Sequence, residues 1–287
     1  MPVTKVVIPA AGFGTRMLPA SKRVPKEILP VLSKPTIQYV VEEAVEAGAC
    51  EVCLVVSDDK QAVEDHFKPY QELEQRLAEK GQLDRLGELP QLMEKVKIGT
   101  VLQREQLGLG HAVLQAKEHV GDQPFLCMLG DTIFSGGSAA RQLAHAHAKL
   151  GGSIIGLQRV PRDDLSRYGV AAGEMIDEST MRITGLVEKP PVNNAPSDLA
   201  IAARYLLSPR IFNLLETTAP GQGGEIQLTD ALQRLATQEP VYGVVLDAHR
   251  HDIGNPAEWL RTNLSFARRD AHLWRNVEPL LRKLLSD

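Results

Sequence analysis

The amino-acid sequence predicts an α/β fold: a doubly wound, mainly parallel mixed sheet with a small β-rich elaboration and an inserted helical segment. Three observations lead there. Short apolar runs at residues 3–8, 52–56, 125–129, 153–157 and 241–246 lack polar alternation, as strands covered on both faces do. Helical patterns fall between these runs, and strands alternating with helices favour parallel pairing. From Tyr168 to Leu207 the pattern changes to shorter, more polar strands, around 181–187 and 200–207, which reads as a β-rich elaboration laid against the main sheet.

In chain order, the strand at 3–8 breaks at Pro9 into a glycine-bearing loop. After Pro35, the residues Ile37, Val40, Val41, Ala44 and Val45 recur at helical spacing while Glu42, Glu43 and Glu46 take the other face, and the helix closes at Gly48. Residues 70–95 are charged and helical, with Leu73, Leu77, Leu83 and Leu86 too sparse for a central helix, so they form an inserted surface segment. A strand at 96–102 precedes a helix from Gly110 to about Glu118. Ser138 as N-cap and Gly151 as C-cap frame another, with Leu143, Ala146 and Leu150 facing inward. Beyond Ala271, the residues Leu273, Val277, Leu280, Leu281 and Leu284 form a helical stripe expected to dock on the body or on a second subunit.

A chain of 287 residues, 43% hydrophobic and 24% charged, has the make-up of an ordinary globular protein, which excludes disordered and collagen-like classes. Cys50, Cys53 and Cys127 cannot pair fully. Cys53 sits inside an apolar run and no second CxxC completes a zinc site, so a buried strand thiol is the preferred reading. The run Val6-Val7-Ile8 is cut off by Pro9 and Gly12, too short for a signal-peptide core or a membrane span; the expected location is cytoplasmic, with no membrane partner. A net charge of -4 argues against a nucleic-acid partner. Yet residues 1–35 carry Lys5, Arg16, Lys22, Arg23, Lys26 and Lys34 against Glu27 alone, a local positive excess suited to a small anionic ligand.

The loop after the first strand reads Pro9-Ala10-Ala11-Gly12-Phe13-Gly14-Thr15-Arg16-Met17-Leu18-Pro19, with Pro25-Lys26-Glu27 beyond. Gly12 and Gly14 let the backbone turn tightly and bring its N–H groups close to phosphate oxygens. It is no dinucleotide fingerprint, because Met17 holds the third glycine position, and no Walker A motif, because no Gly-Lys-Ser/Thr follows. A glycine pair alone is as often a plain turn. Arg16 and Lys26 in the same short segment make this one a phosphate loop.

These residues, with Lys34-Pro35-Thr36-Ile37-Gln38-Tyr39-Val40-Val41, Leu107-Gly108-Leu109-Gly110-His111-Ala112, Glu188-Lys189-Pro190, Gly224-Glu225-Ile226-Gln227-Leu228-Thr229-Asp230 and His251-Asp252-Ile253-Gly254-Asn255, resemble the signature of the sugar-phosphate nucleotidyltransferases, and within it the uridylyl-transferring branch. The resemblance implies a single Rossmann-like domain over 1–287. It would comprise a nucleotide-binding part at 1–160 with the helical insert 70–95, a sugar-phosphate-binding part at 161–260 and a helical tail at 261–287. Two departures are Gly130, where uridylyl-transferring members often have Pro, and Leu107, where many have Lys.

Asp131 and Asp252 each follow a strand, so in a parallel sheet both can lie at the carboxyl edge near the phosphate loop. Either alone is equally a turn or N-cap residue; the resemblance assigns Asp131, and with it Asp252, to Mg2+, which takes one or two carboxylates and completes its shell with water and phosphate oxygens. Gln103 can donate to a pyrimidine carbonyl and accept from its N3–H at once. Read alone it is surface decoration; the resemblance makes it the base reader, with the backbones of Ala10, Ala11 and Gly108 beside the base. Adjacent Glu188 and Lys189 are commonplace on surfaces, but the resemblance gives Glu188 and the Gly169 amide to sugar hydroxyls and Lys189 to the sugar's phosphate. The stretch 225–230 also reads as a capping box. His145 and His147 lack ligand spacing and are left to a helix face.

The reaction implied is uridylyl transfer from UTP to glucose 1-phosphate, with Arg16 and Lys26 on the leaving pyrophosphate. A homodimer or homotetramer is implied as well. Thymidylyl, cytidylyl or guanylyl transfer, and a nucleotide-sugar sensor without turnover, stay open as alternatives; a dinucleotide-dependent oxidoreductase is disfavoured by the missing third glycine.

Overall fold

In a computed structural model that describes residues 3–286, the chain is organised around β1 (Lys5–Pro9), whose Val6, Val7 and Ile8 are wholly buried. Met1, Pro2 and Asp287, at the ends of the expected domain, lie outside the described residues. Alternate strand residues point to opposite faces, so Val6 and Ile8 enter one core and Val7 the other. The short strands β2 (Pro30–Val31) and β3 (Lys34–Pro35) lead into α1 (Thr36–Glu46), which lays Ile37, Val40, Val41 and Ala44 on the first face. β4 (Glu51–Val56) then returns parallel to β1, with Cys53 buried as expected of a strand thiol.

Next come α2 (Gln61–Asp65), α3 (Gln71–Glu79) and α4 (Leu89–Lys95), before β5 (Lys97–Leu102) pairs parallel with β4. Helix α3 buries no residue and α4 buries Leu92, so this stretch is the surface insert its sparse leucines predict. The second face is covered by α5 (Leu109–Gln115) and α6 (Lys117–Val120), which divide at Ala116 the single helix expected there. β6 (Phe125–Met128) pairs with β1 on the side away from β4. The chain thus runs outward from β1 in one direction and resumes on the other side. Such a switch point opens a crevice beyond the strand's carboxyl end, where α/β proteins bind ligands.

After β7 (Thr132–Ser135), α7 (Ala139–Leu150) begins at Ser138, whose side chain accepts from the Arg141 N–H at 3.2 Å, and ends at Gly151 with φ 67. Both caps are those expected. The remaining elements are β8 (Ser153–Arg159), β9 (Gly169–Met175), β10 (Thr180–Glu188), β11 (Leu199–Leu207), α8 (Arg210–Leu215), α9 (Leu228–Leu235), β12 (Val241–Val245), β13 (His249–Asp252), α10 (Pro256–Arg269) and α11 (Ala271–Leu284).

The main sheet runs β5-β4-β1-β6-β11-β8-β12-β10-β9. Pairing is parallel from β5 to β6 and between β8 and β12; β11 is antiparallel to β6 and β8, and β10 is antiparallel to β12 and β9. The expected elaboration therefore differs: β10 and β9 do not lie against the main sheet but continue it at one edge. β11 does not lie against the sheet but inside it, buried along its whole length, because Leu199–Leu207 offers apolar side chains to both cores.

The C-terminal stripe was expected to dock on the body or on a second subunit, and the body covers it only in part. Helix α10 docks, with Phe266 edge-on to Tyr39 at 5.3 Å and the Trp259 indole N–H donating to the Pro30 carbonyl at 2.9 Å. Helix α11 follows after Asp270 caps it, but it buries none of its residues, and Leu280 and Leu284 are 63% and 72% exposed. Leu273, Val277 and Leu281 of its stripe are half-buried, so the body of this chain covers the stripe only in part. Truncation after Asp270 should accordingly lower the thermal midpoint by no more than about 3 °C, on the order of 1 kcal/mol for a chain of this size. A fall beyond about 10 °C in a thermal melt would show that α11 stabilises the core after all.

Candidate active site

Strand β1 hands the chain to Ala10, whose N–H donates to the Val55 carbonyl at 2.8 Å before the loop leaves the sheet. Gly14 has φ 65, and a Cβ there would lie 3.3 Å from the Lys26 stem, so both conformation and contact call for glycine. Lys26 opens a 3₁₀ turn that directs its ammonium to the Asp131 carboxylate, to which it donates. These side chains are 15% and 18% exposed. Burial opposes ionisation of Asp131, but Lys26 and then Arg16 outweigh it and hold the carboxyl below its usual value of 3.8. Burial likewise pulls Lys26 down, yet Asp131 and Glu27 prevail and raise it above 10.5.

Behind this pair lies a second. Glu27 is almost fully buried and 4.0 Å from Lys26; its Oε2 accepts from Lys60 Nζ at 2.9 Å, and the same ammonium donates to the Ala10 carbonyl at 2.6 Å. Opposite charges therefore alternate from Asp131 through Lys26 and Glu27 to Lys60, which grips the first residue of the loop. Ala10 itself is buried, with N–H and carbonyl both engaged, so it stands behind the loop and does not line a cavity beside a base. Lys60 was not identifiable from sequence: it closes the polar stretch Ser57-Asp58-Asp59, which reads as surface.

Two cavities meet here. The first, about 410 Å³, is walled by Ala11, Gly12, Gly14, Lys26, Gln103 and Gly108 among others. Gln103 Nε2 donates to the Gly108 carbonyl at 3.1 Å and lies 3.0 Å from His111 Nδ1, which fixes the amide plane. Gly108 has φ 101, and a Cβ there would strike Glu225 at 2.7 Å. The second cavity, about 450 Å³, is walled by Arg16, Gly169, Glu188, Lys189, Thr229 and Asp252 among others. Asp131 stands in both walls. Arg16 stands in the wall of the second cavity and Lys26 in that of the first, with Asp131 in both, and the Arg16 charge acts on Lys26 and Asp131 alike.

On the second side, Glu188 ends β10 with Oε2 accepting from the Thr229 hydroxyl at 2.6 Å and Oε1 3.5 Å from Lys189 Nζ. Lys189 has φ 43, a left-handed conformation costly for a non-glycine residue and characteristic of functional sites. Gly169 leaves room beside this carboxylate, since a Cβ would lie 3.2 Å from Glu188 Oε2 and 2.8 Å from Ile201. Thr229 corrects the capping-box reading. The N-cap of α9 is Gln227, no side-chain capping bond is made there among the described residues, and the Thr229 hydroxyl goes to Glu188. Arg250, also missed, lies over the Tyr168 ring at 4.4 Å in the same wall.

Asp252 reaches Asp131 by an unexpected route. The sheet edge does not align them; β13 pairs with β7, setting Asp252 opposite Thr132, while the Ile253 N–H donates to the Asp131 carbonyl at 2.9 Å. Asp252 Oδ1 accepts from the Gly254 N–H at 2.7 Å, and a Cβ on Gly254 would lie 2.6 Å from Arg16 Nη2. Two carboxylates on one cavity wall are hard oxygen donors suited to a divalent cation that also takes phosphate oxygens. Among the described residues no cluster of three or more His, Cys, Asp or Glu forms a closed cage.

The family described as Nucleotidyl transferase matches residues 5–269. The UTP--glucose-1-phosphate uridylyltransferase of Bacillus subtilis is 43% identical over 285 residues, 99% of this chain and 98% of that protein. UTP-bound UGPase from Acinetobacter baumannii superposes with a TM-score of 0.90 at 36% identity, covering 98% of this chain and 99% of its own. UDP-glucose pyrophosphorylase complexed with UDP-glucose gives 0.86 at 35% identity over 93% and 99%.

The Lys26–Asp131 pair is open to direct titration. A depressed carboxyl pKa contributes stability above the unfolded value of 3.8 that is lost as pH falls through the folded one. In Lys26→Met the main cause of the depression is gone, so the Asp131 carboxyl should titrate at higher pH by carbon NMR. The gap in thermal midpoint between wild type and variant should be widest near neutrality and narrow below 3.8. An unmoved Asp131 titration would refute the pairing.

Proposed function

This chain belongs to the nucleotidyl transferase family, and we propose that it transfers a uridylyl group from UTP to glucose 1-phosphate, giving UDP-glucose and pyrophosphate. The observation that carries the reading is the placement of Asp131 in the walls of two adjoining cavities, one bordered by a glycine loop and one by a carboxylate–lysine pair. Residues 1–160, with the insert 70–95, supply the nucleotide side, residues 161–260 the sugar-phosphate side, and residues 261–287 the tail.

The amides of Gly12 and Gly14 and the Lys26 ammonium take the triphosphate. With its amide nitrogen given to Gly108 and His111, Gln103 reads the uracil edge through Oε1, which accepts from the N3–H, with Ala11 and Gly108 flanking the base. Glu188, oriented by Thr229, accepts from sugar hydroxyls while the Gly169 amide donates; Lys189 steadies the attacking phosphate. Arg16, whose charge acts on both Lys26 and Asp131, holds the leaving pyrophosphate together with Lys26. A phosphate oxygen of glucose 1-phosphate bonds to the α-phosphorus as the bond to the bridging oxygen breaks, and pyrophosphate leaves with the electron pair. That nucleophile is already anionic, so no general base is required; positioning and charge neutralisation supply the rate. Mg2+ held by Asp131 and Asp252 would contribute Lewis-acid screening of the phosphates.

Among the described residues no helix is long and apolar enough to cross a membrane. We place the protein in the cytoplasm as a homodimer or homotetramer, a reading supported by the partly exposed apolar stripe of α11.

A turnover panel of UTP, dTTP, CTP and GTP against several hexose 1-phosphates tests the proposal: UTP with glucose 1-phosphate should lead, and another nucleotide in first place would reassign it. A charge pair near 4 Å contributes about 4 kcal/mol at an effective dielectric of about 20. Arg16→Ala and Lys189→Ala should each slow pyrophosphate release by roughly two to three powers of ten with the circular dichroism spectrum unchanged. Near wild-type rates in either would remove that residue from the mechanism.

A further inference from the structure

Arg204 of β11 is 0% exposed and lies beneath the turn that carries Asp131. Nη2 donates to the Thr132 carbonyl at 2.7 Å and to Glu43 Oε2 at 2.7 Å; Nε donates to the same Glu43 oxygen at 3.1 Å. Nη1 donates to the carbonyls of Ala203 at 3.0 Å and Leu129 at 3.4 Å. The other oxygen of Glu43 accepts from the Ala140 N–H at 2.8 Å, at the start of α7, and the Phe134 ring stands 4.9 Å from the guanidinium carbon.

Leu129 and Thr132 are the residues on either side of Gly130-Asp131. One planar cation thus holds both outer carbonyls of that turn, and Glu43, anchored on two helices, prevents the plane from rotating. The Leu129 N–H adds a bond to the Ala203 carbonyl at 3.2 Å, where Ala203 adopts φ 59 at a break in the β11 register. A buried ion pair adds little net stability over an apolar pair of the same shape, so stability alone does not account for it. What it does provide is a defined position. We infer that Arg204, oriented by Glu43, is a positioning residue that sets the Asp131 carboxylate between the two cavities. The inference rests on the assignment of Asp131 to a divalent cation and phosphate.

Arg204→Lys keeps the charge and loses the planar fork. Mn2+ binding to the protein, followed by electron paramagnetic resonance without substrates, should weaken about tenfold or more, as is typical when the partner of a ligand is altered. In turnover assays kcat should fall by a similar factor while KM for UTP stays within about twofold. Glu43→Gln should shift Mn2+ affinity in the same direction, and it decides the matter if Arg204→Lys does not fold. Phe212→Leu, a core substitution on the opposite face of the sheet, serves as the control for general destabilisation and should leave Mn2+ affinity unchanged. Wild-type Mn2+ affinity in a folded Arg204→Lys or in Glu43→Gln, or an equal loss in Phe212→Leu, would overturn the inference. Equal Mn2+ affinity in wild type and Asp131→Asn would instead overturn the metal assignment beneath it.

Discussion

The alternating charges of Asp131, Lys26, Glu27 and Lys60 are the constraint around which the rest of the site is arranged. Each would be costly to bury alone, by several kcal/mol, and each is acceptable because an oppositely charged neighbour is in place. The row ends on the Ala10 carbonyl, so the same electrostatics that hold the carboxylate also set where the glycine loop departs from β1. Loop and carboxylate come from segments far apart in sequence, yet neither can shift without leaving a buried charge uncompensated.

The sheet explains why this row falls beside two cavities. β1 lies at the switch in strand order, which opens the crevice, and β11 enters antiparallel between β6 and β8. That insertion points Ile201, Ala203 and Tyr205 into the second cavity while Arg204 faces the opposite layer, following the alternation of strand side chains. The β7–β13 ribbon then folds Asp252 back over Asp131. Close backbone approach at Gly108 and Gly169 keeps the walls near enough for small polar groups to act together.

Several parts of this arrangement were legible in the residues themselves. The glycine loop announced itself through Gly12 and Gly14 beside Arg16 and Lys26, and the α7 caps through Ser138 and Gly151. Glu188 and Lys189, a commonplace adjacent pair, were singled out only by the resemblance to the nucleotidyltransferase signature. Thr229 was visible only as a member of a helix start, because its partner Glu188 lies on another element, and Arg204 had no local mark at all.

The sequence by itself determined the buried strands, the amphipathic helices and the glycine-dependent turns, because these depend on periodicity and backbone freedom over a few residues. The tertiary structure alone decided that β11 is central, that Asp252 meets Asp131 through a ribbon, that Lys60 and Arg204 anchor the site, and that the apolar stripe of α11 is only partly covered. Those outcomes depend on which distant segments come into contact, and a buried charge finds its partner in three dimensions, where spacing along the chain carries no information about it.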